Sequence, residues 1–271
     1  MKKGLFSILL VLLYGAVTSI WAQFMPEELA ERAKWEEFLT SAEVVDQEQM
    51  QSRAAVTSPW VLTLEKDQVK SKGLWKNPSG RMSGYFENWK WEIAAYRLDR
   101  LLGLNMVPPT VERRFAGDRG SIQLWIDGCI TAKEKTEKKI KTPSYKIFHW
   151  NRALYLQRAF DNLIANEDRH QNQYLVTEDF RMILIDHSRS FHTSKKHTRN
   201  LIYTKKSNEE MKQLPADFVA QLRGLDFAQI REAVGEYLTD KEIEAVLLRR
   251  DLILKDVDDR IAEMGEDKVL Y

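Results

Sequence analysis

Cysteine is almost missing from this chain. Cys129 is the only one in 271 residues, so no intramolecular disulfide can form and stability has to come from a packed core. Neither a Cys-x-x-Cys nor a His-Glu-x-x-His run occurs, and a structural zinc site is not expected. A surplus of charge is missing too. Forty-one basic and 40 acidic residues leave a formal net charge of +1, which gives no general pull toward nucleic acid or a membrane surface. There is no internal repeat and no low-complexity tract. Glycine-rich loops are absent as well: between Trp60 and Lys76 the only glycine is Gly73.

One long apolar run stands at the start. Lys2 and Lys3 make a positive lead, residues 5–17 are almost wholly apolar, and Ser19 or Ala22 offers a small residue for cleavage. This is the layout of a secretory signal peptide. An uncleaved anchor is the alternative, because residues 4–21 carry no charge. The polar Thr18 and Ser19 favour cleavage. Either way the rest of the chain is expected outside the cytoplasm, periplasmic or secreted, with membrane contact only if the segment stays uncleaved.

The remaining length suits one two-lobed domain. Residues 27–51 read as helix, with Leu29, Ala33, Trp35, Phe38 and Leu39 on a helical period. Residues 60–64 and 69–76 read as strands joined by a polar turn at 65–68, and residues 77–80 break the pattern. Residues 87–102 form an amphipathic helix that Gly103 stops. Pro108 and Pro109 force an extended stretch, residues 121–126 form a strand, and the basic run at 133–141 reads as a solvated loop. The second half holds a long helix at 145–165, two short strands at 174–176 and 182–185, and helices near 217–222, 227–237 and 241–264. Strands with one helix come first and mostly helices follow, an α+β plan. The expected division is 1–22 signal peptide, 23–57 helical lead-in, 58–132 small β-rich lobe and 133–271 helical lobe, the lobes meeting near residues 126–133.

Polar groups crowd the end of the long helix: Asp168-Arg169-His170, then Asn172 and Gln173. A strand hairpin follows and ends at Ile185-Asp186-His187-Ser188. A tight hairpin brings its two ends together, which places Asp168 beside Asp186. Asp168-Arg169-His170 with Asn172, then Leu184-Ile185-Asp186, resembles the catalytic loop and metal-binding Asp of the atypical kinases. These include the phosphatidylinositol 3- and 4-kinases, the HipA-type kinases and the secretory-pathway kinases related to the Golgi casein kinase. Gly73-Leu74-Trp75-Lys76 resembles their strand with the phosphate-binding lysine, and Glu92 stands where their helix glutamate does. The likeness covers roughly residues 58–260 in motif order.

The resemblance implies a two-lobed protein-kinase-like fold and an ATP-dependent phosphotransferase using Mg²⁺ or Mn²⁺. Lys76 and Glu92 would bind the nucleotide, Asp168 would be catalytic, and Asp186 would hold metal. The family pattern has Asn five positions after the catalytic Asp. That position is Gln173 here, with Asn172 one earlier, so the second metal ligand is either of the two. The implied partners are a nucleotide and a phosphate acceptor that is a protein, lipid or small molecule, with no nucleic acid. Two other functions fit these residues: a catalytically inactive kinase-like binding protein of the cell envelope, and a metal-dependent phosphohydrolase using Asp168, His170, Asp186 and His187. Taken singly, Lys76 reads as a surface strand lysine, His187 and His192 as loop histidines, and Arg189 as a partner for some acid.

Overall fold

The strand hairpin expected at residues 60–76 forms, and the first lobe is assembled on it. The structure is a computed structural model that describes residues 24–50 and 58–271, so the expected signal peptide lies outside the described residues. Strands β2 (Trp60–Lys66) and β3 (Val69–Lys76) pair antiparallel around Asp67 and Gln68. Both turn residues have positive φ, 50° and 66°, as a two-residue hairpin loop requires. Adding β1 (Glu43–Gln49), β6 (Thr110–Phe115) and β7 (Asp118–Leu124) gives an antiparallel five-stranded sheet in the order β1-β2-β3-β7-β6.

The helix expected over residues 27–51 is shorter. Helices α1 (Pro26–Ala30) and α2 (Arg32–Ser41) end at Ala42, and the chain turns into edge strand β1. Its sequence, EVVDQEQ, carries the charges that protect a sheet edge, and these mimic a helix in composition. Helix α2 lays Phe38 and Leu39 on Leu62, Leu64, Trp75 and Ile122, closing a small core. Close strand contact at the end of β3 depends on Gly120. A Cβ there would stand 2.5 Å from the Lys76 carbonyl oxygen, so only glycine lets β7 approach the backbone of Lys76.

A second small hairpin, β4 (Ser79–Met82) and β5 (Tyr85–Asn88), fills the stretch expected to be a break. It turns at Ser83 and Gly84, with φ of 49° and 91°. Helix α3 (Trp89–Leu101) follows at once, its first turn capped by Asn88 Oδ1, which accepts from Lys90 N–H at 3.0 Å. Gly103, at φ 64°, ends it as expected. Only the second part of the basic run, residues 138–141, is loop. Thr131 and Glu134 form a capping box that starts helix α4 (Ala132–Glu137), supported by Lys133–Glu137 and Glu134–Lys138 ion pairs.

The second lobe is built on α5 (Ile147–Ile164) and α9 (Asp240–Met264), with α6 (Lys195–Arg199), α7 (Ala216–Gly224), α8 (Phe227–Val234) and α10 (Glu266–Val269) around them. Its core takes Leu156, Phe160 and Leu163 of α5, Ile253 and Val257 of α9, and also Ala94, Ala95 and Leu98 of α3. Strands β9 (Tyr174–Val176) and β10 (Met182–Leu184) form the expected hairpin, and β8 (Ile130–Thr131) adds to β9, which fastens the connection from the first lobe onto the second. No helix among the described residues is long and apolar enough to cross a membrane.

Candidate active site

Lys76 closes β3 at the seam between the lobes. It is buried, 8% exposed, and its ammonium sits between two carboxylates, 2.8 Å from Glu92 Oε1 and 2.7 Å from Asp186 Oδ1. Burial alone would pull its pKa down, but the charges and hydrogen bonds of Asp186 and Glu92 outweigh that and hold it above the ordinary lysine value. Glu92 comes from the first turn of α3 and is equally enclosed. Burial pushes its carboxyl up, while Lys76 and a hydrogen bond from His187 push harder the other way, so it stays well below the usual carboxylate range. Its Oε2 accepts from the His187 backbone N–H at 2.9 Å. One glutamate therefore joins strand, helix and the segment after Asp186.

Asp186 follows β10 with φ of 61°. A non-glycine residue in the left-handed region costs on the order of 1–3 kcal/mol and marks a position held by its surroundings. Here those surroundings are Lys76 and Ser188, whose Oγ donates to Asp186 Oδ1 at 3.3 Å. Asp168 stands opposite. Gln173 Nε2 donates to Asp168 Oδ2 at 2.9 Å and to Asp186 Oδ2 at 3.4 Å, bridging the two acids, while its Oε1 accepts from His170 N–H at 3.4 Å. Asn172 lines the same cleft.

The loop carrying Asp168 is set by the end of α5. Ala165 takes φ of 52° and ends the helix, and Asn166 Oδ1 accepts from Asp168 N–H at 3.2 Å. Arg169 turns inward and makes two 2.9 Å bonds to Asp161 and one of 2.7 Å to the Ile185 carbonyl. It thus ties α5, the Asp168 loop and the strand before Asp186 together. Asp161 is fully buried, and sequence reasoning gave it no role; its spacing of eight from Arg169 marks no local pair. Arg189 does pair with an acid, in fact with two. It donates to Glu87 Oε1 from Nε at 2.9 Å and from Nη2 at 2.7 Å, and its Nη1 lies 3.2 Å from Asp168 Oδ2. Glu87 sits on β5, a strand the sequence reading did not resolve, so its part in the site was hidden.

Several single-residue expectations change. Lys76 is not a surface lysine. His187 does lie in the irregular segment after β10, but it is fully buried, its ring 6.1 Å from Phe160, and burial lowers its pKa. It is turned away from the cleft, which removes it from the set a phosphohydrolase would use. Cys129, half-buried at the cleft wall, has its thiol pushed up to about 11 by burial and is no thiolate nucleophile at neutral pH.

The cleft between the lobes has a volume of about 600 Å³ and is lined by Lys76, Asp168, Asn172, Gln173, Asp186 and Arg189, with Leu74, Leu124 and Leu175 on its apolar side. A buried ammonium and paired carboxylates together with apolar lining side chains suit a ligand that has both a charged and an apolar part.

This architecture is the atypical-kinase fold. A hydra Fam20 structure with sugar superposes with a TM-score of 0.64 at 16% identity, covering 89% of this chain and 92% of that one. The Golgi casein kinase superposes with a TM-score of 0.63 at 15% identity over 89% of this chain and 78% of that one. Its form with Mn/ADP bound gives a TM-score of 0.62, at 16% identity and the same coverage. No family model matches the chain. No curated protein matches it in sequence.

Proposed function

We propose that this protein is a metal-dependent phosphotransferase that takes ATP and phosphorylates a hydroxyl of a protein, lipid or small molecule outside the cytoplasm. The observation that carries this reading is the meeting of Lys76, Asp168 and Asp186 in one cleft, with Glu92 behind Lys76 and paired with it, from four separate elements. The fold it shares with a kinase crystallised with Mn/ADP supports it.

Phosphoryl transfer asks a protein for positioning and charge neutralisation more than for covalent chemistry. Lys76 supplies a fixed positive charge for phosphate oxygens, and Glu92 keeps it aimed. Asp168 orients the acceptor hydroxyl and takes its proton, with Arg189 holding the carboxylate in place. The donor set also fits a divalent cation, since carboxylate and amide oxygens are hard ligands. Asp186 with Gln173 or Asn172 would hold Mg²⁺ or Mn²⁺, which would offset phosphate charge. Gln173 now turns its amide nitrogen to both acids, so it serves a metal only with the amide turned over.

That same contact favours a second reading, a protein that binds nucleotide without turning it over. The two are separated by experiment. With ATP and Mn²⁺ the purified mature protein is expected to transfer phosphate to itself or to an added acceptor. Asp168→Asn should lower the rate roughly 100- to 10,000-fold, the usual worth of a general base, while leaving the thermal shift by ATP and Mn²⁺ intact. Asp186→Ala should abolish both. A shift without transfer in the wild type establishes the binding reading, and neither effect sinks both.

A further inference from the structure

Beyond the cleft, three side chains turn toward one another: Glu167, just before Asp168; His192, after the Asp186 segment; and His197, on α6. Their ligand atoms all lie within 4.8 Å of one another. Glu167 Oε1 is 3.7 Å from His192 Nε2, and Glu167 Oε2 is 3.4 Å from His197 Nε2. A charge-assisted hydrogen bond would draw such atoms to about 2.7–2.9 Å. Donors around a tetrahedral Zn²⁺, each at about 2.0–2.1 Å from the metal, stand about 3.3–3.4 Å apart. The two Glu–His spacings are therefore long for hydrogen bonding and close to that of ligands sharing an ion, and the widest pair, within 4.8 Å, would close by a small shift of the exposed Glu167 or of a ring.

The rings support this. His192 and His197 stack with centroids 4.8 Å apart and planes at 26°. His192 Nε2 is buried with no hydrogen-bond partner. Burial lowers the pKa of both histidines, favouring the neutral form that binds metal. Lys196 Nζ, 3.1 Å from Glu167 Oε2, competes for the carboxylate but is 75% exposed and can swing into solvent.

We propose that Glu167, His192 and His197 form a metal centre of the two-histidine, one-carboxylate zinc type, distinct from the cleft. Three protein donors leave one position for water. The ion would clip the Asp168 loop to the segment that follows Asp186, adjoining the cleft without entering it.

The test uses chelator-stripped full-length protein titrated calorimetrically with Zn²⁺ alone, without nucleotide, and with Co²⁺ as a spectroscopic reporter of tetrahedral ligation. One ion should bind the wild type. His197→Gln and Glu167→Gln should each weaken binding by more than the roughly 10–100-fold that an outer-shell change costs. Asp186→Asn, which takes away the cleft's own candidate metal ligand, should still show the tetrahedral Co²⁺ spectrum of this centre. Glu167→Gln, at a partly exposed position, keeps the test valid if the buried histidine variant fails to fold. No binding to the wild type overturns the proposal. Binding that survives Glu167→Gln, or is lost in Asp186→Asn, overturns it as well.

Discussion

Asp99 lines no part of the cleft and still bears on how the molecule responds to pH. It is fully buried on α3, where its Oδ1 accepts from the N–H groups of Met106 at 2.8 Å and Val107 at 3.2 Å, while Oδ2 has no partner. Burial pushes its pKa up to about 7. In the unfolded chain it titrates near the ordinary value of about 3.9. Between those limits the folded state holds a proton that the unfolded state has released. Its contribution therefore falls as pH rises from about 4 to about 7 and is level above that. Asp99→Asn should remove this slope. In urea unfolding across that pH range, the gap between variant and wild type should widen in the variant's favour by a few kcal/mol. A constant gap would show that Asp99 keeps its charge. At this scale the sequence was legible only in part. Lys76, Glu92, Asp168 and Asp186 stand in motif order, but nothing local told that Lys76 would be buried or that His187 would face Phe160. Nor could the spacing of Glu167, His192 and His197 announce a cluster that only the folding of the Asp186 segment assembles.

Among elements, the end of α5 and the β9–β10 hairpin depend on the Arg169–Asp161 pair, whose side chains are 2% and 0% exposed. Burial pulls the Arg169 pKa down, but the charge and hydrogen bonds of Asp161, with help from Tyr203 and Asp186, together keep it raised. Removing one partner of such a pair leaves an uncompensated buried charge and costs about 3–5 kcal/mol. Asp161→Asn should therefore lower the denaturation midpoint sharply. Arg169→Met should do the same and also loosen the Asp168 loop, seen as lost amide protection at residues 166–173. If Asp161→Asn unfolds like the wild type, the pair is not what fixes the loop. Long apolar-faced elements such as α3, α5 and α9 were readable because periodicity and caps agree. The misread ones were short. β1 carries helix-like residues on an exposed edge, α4 was masked by its lysines although Thr131 and Glu134 spell its start, and the β4–β5 hairpin begins directly after Pro78 and rests on a Ser83-Gly84 turn.

At the level of the whole molecule, the two hydrophobic cores do not divide the chain as the lobes suggest. Helix α3 contributes Glu92 to the site beside the sheet, yet its apolar face belongs to the core of the helical lobe. Trp91 Nε1 donates to Glu242 Oε1 at 2.8 Å, and Arg97 donates to the Ala233 carbonyl at 3.3 Å. Among the described residues the small sheet core holds Phe38, Leu39, Ala42 and a few strand residues. Native-state hydrogen exchange should therefore show α3 amides opening together with α5 and α9, at higher free energy than β1 and β2. Co-opening of α3 with the strands would contradict this partition. The order of strands and helices was visible in the sequence; the allegiance of α3 was not, because its apolar stripe fits either neighbour.

That allegiance changes what the Lys76–Glu92 contact reports. A sheet-borne ammonium meets a carboxylate on a helix whose apolar face is moored in the opposite core, so the buried pair ties the two halves of the molecule together by charge as well as by chain. Asp186 grips the same ammonium, so a change at that one nitrogen is felt by both halves at once.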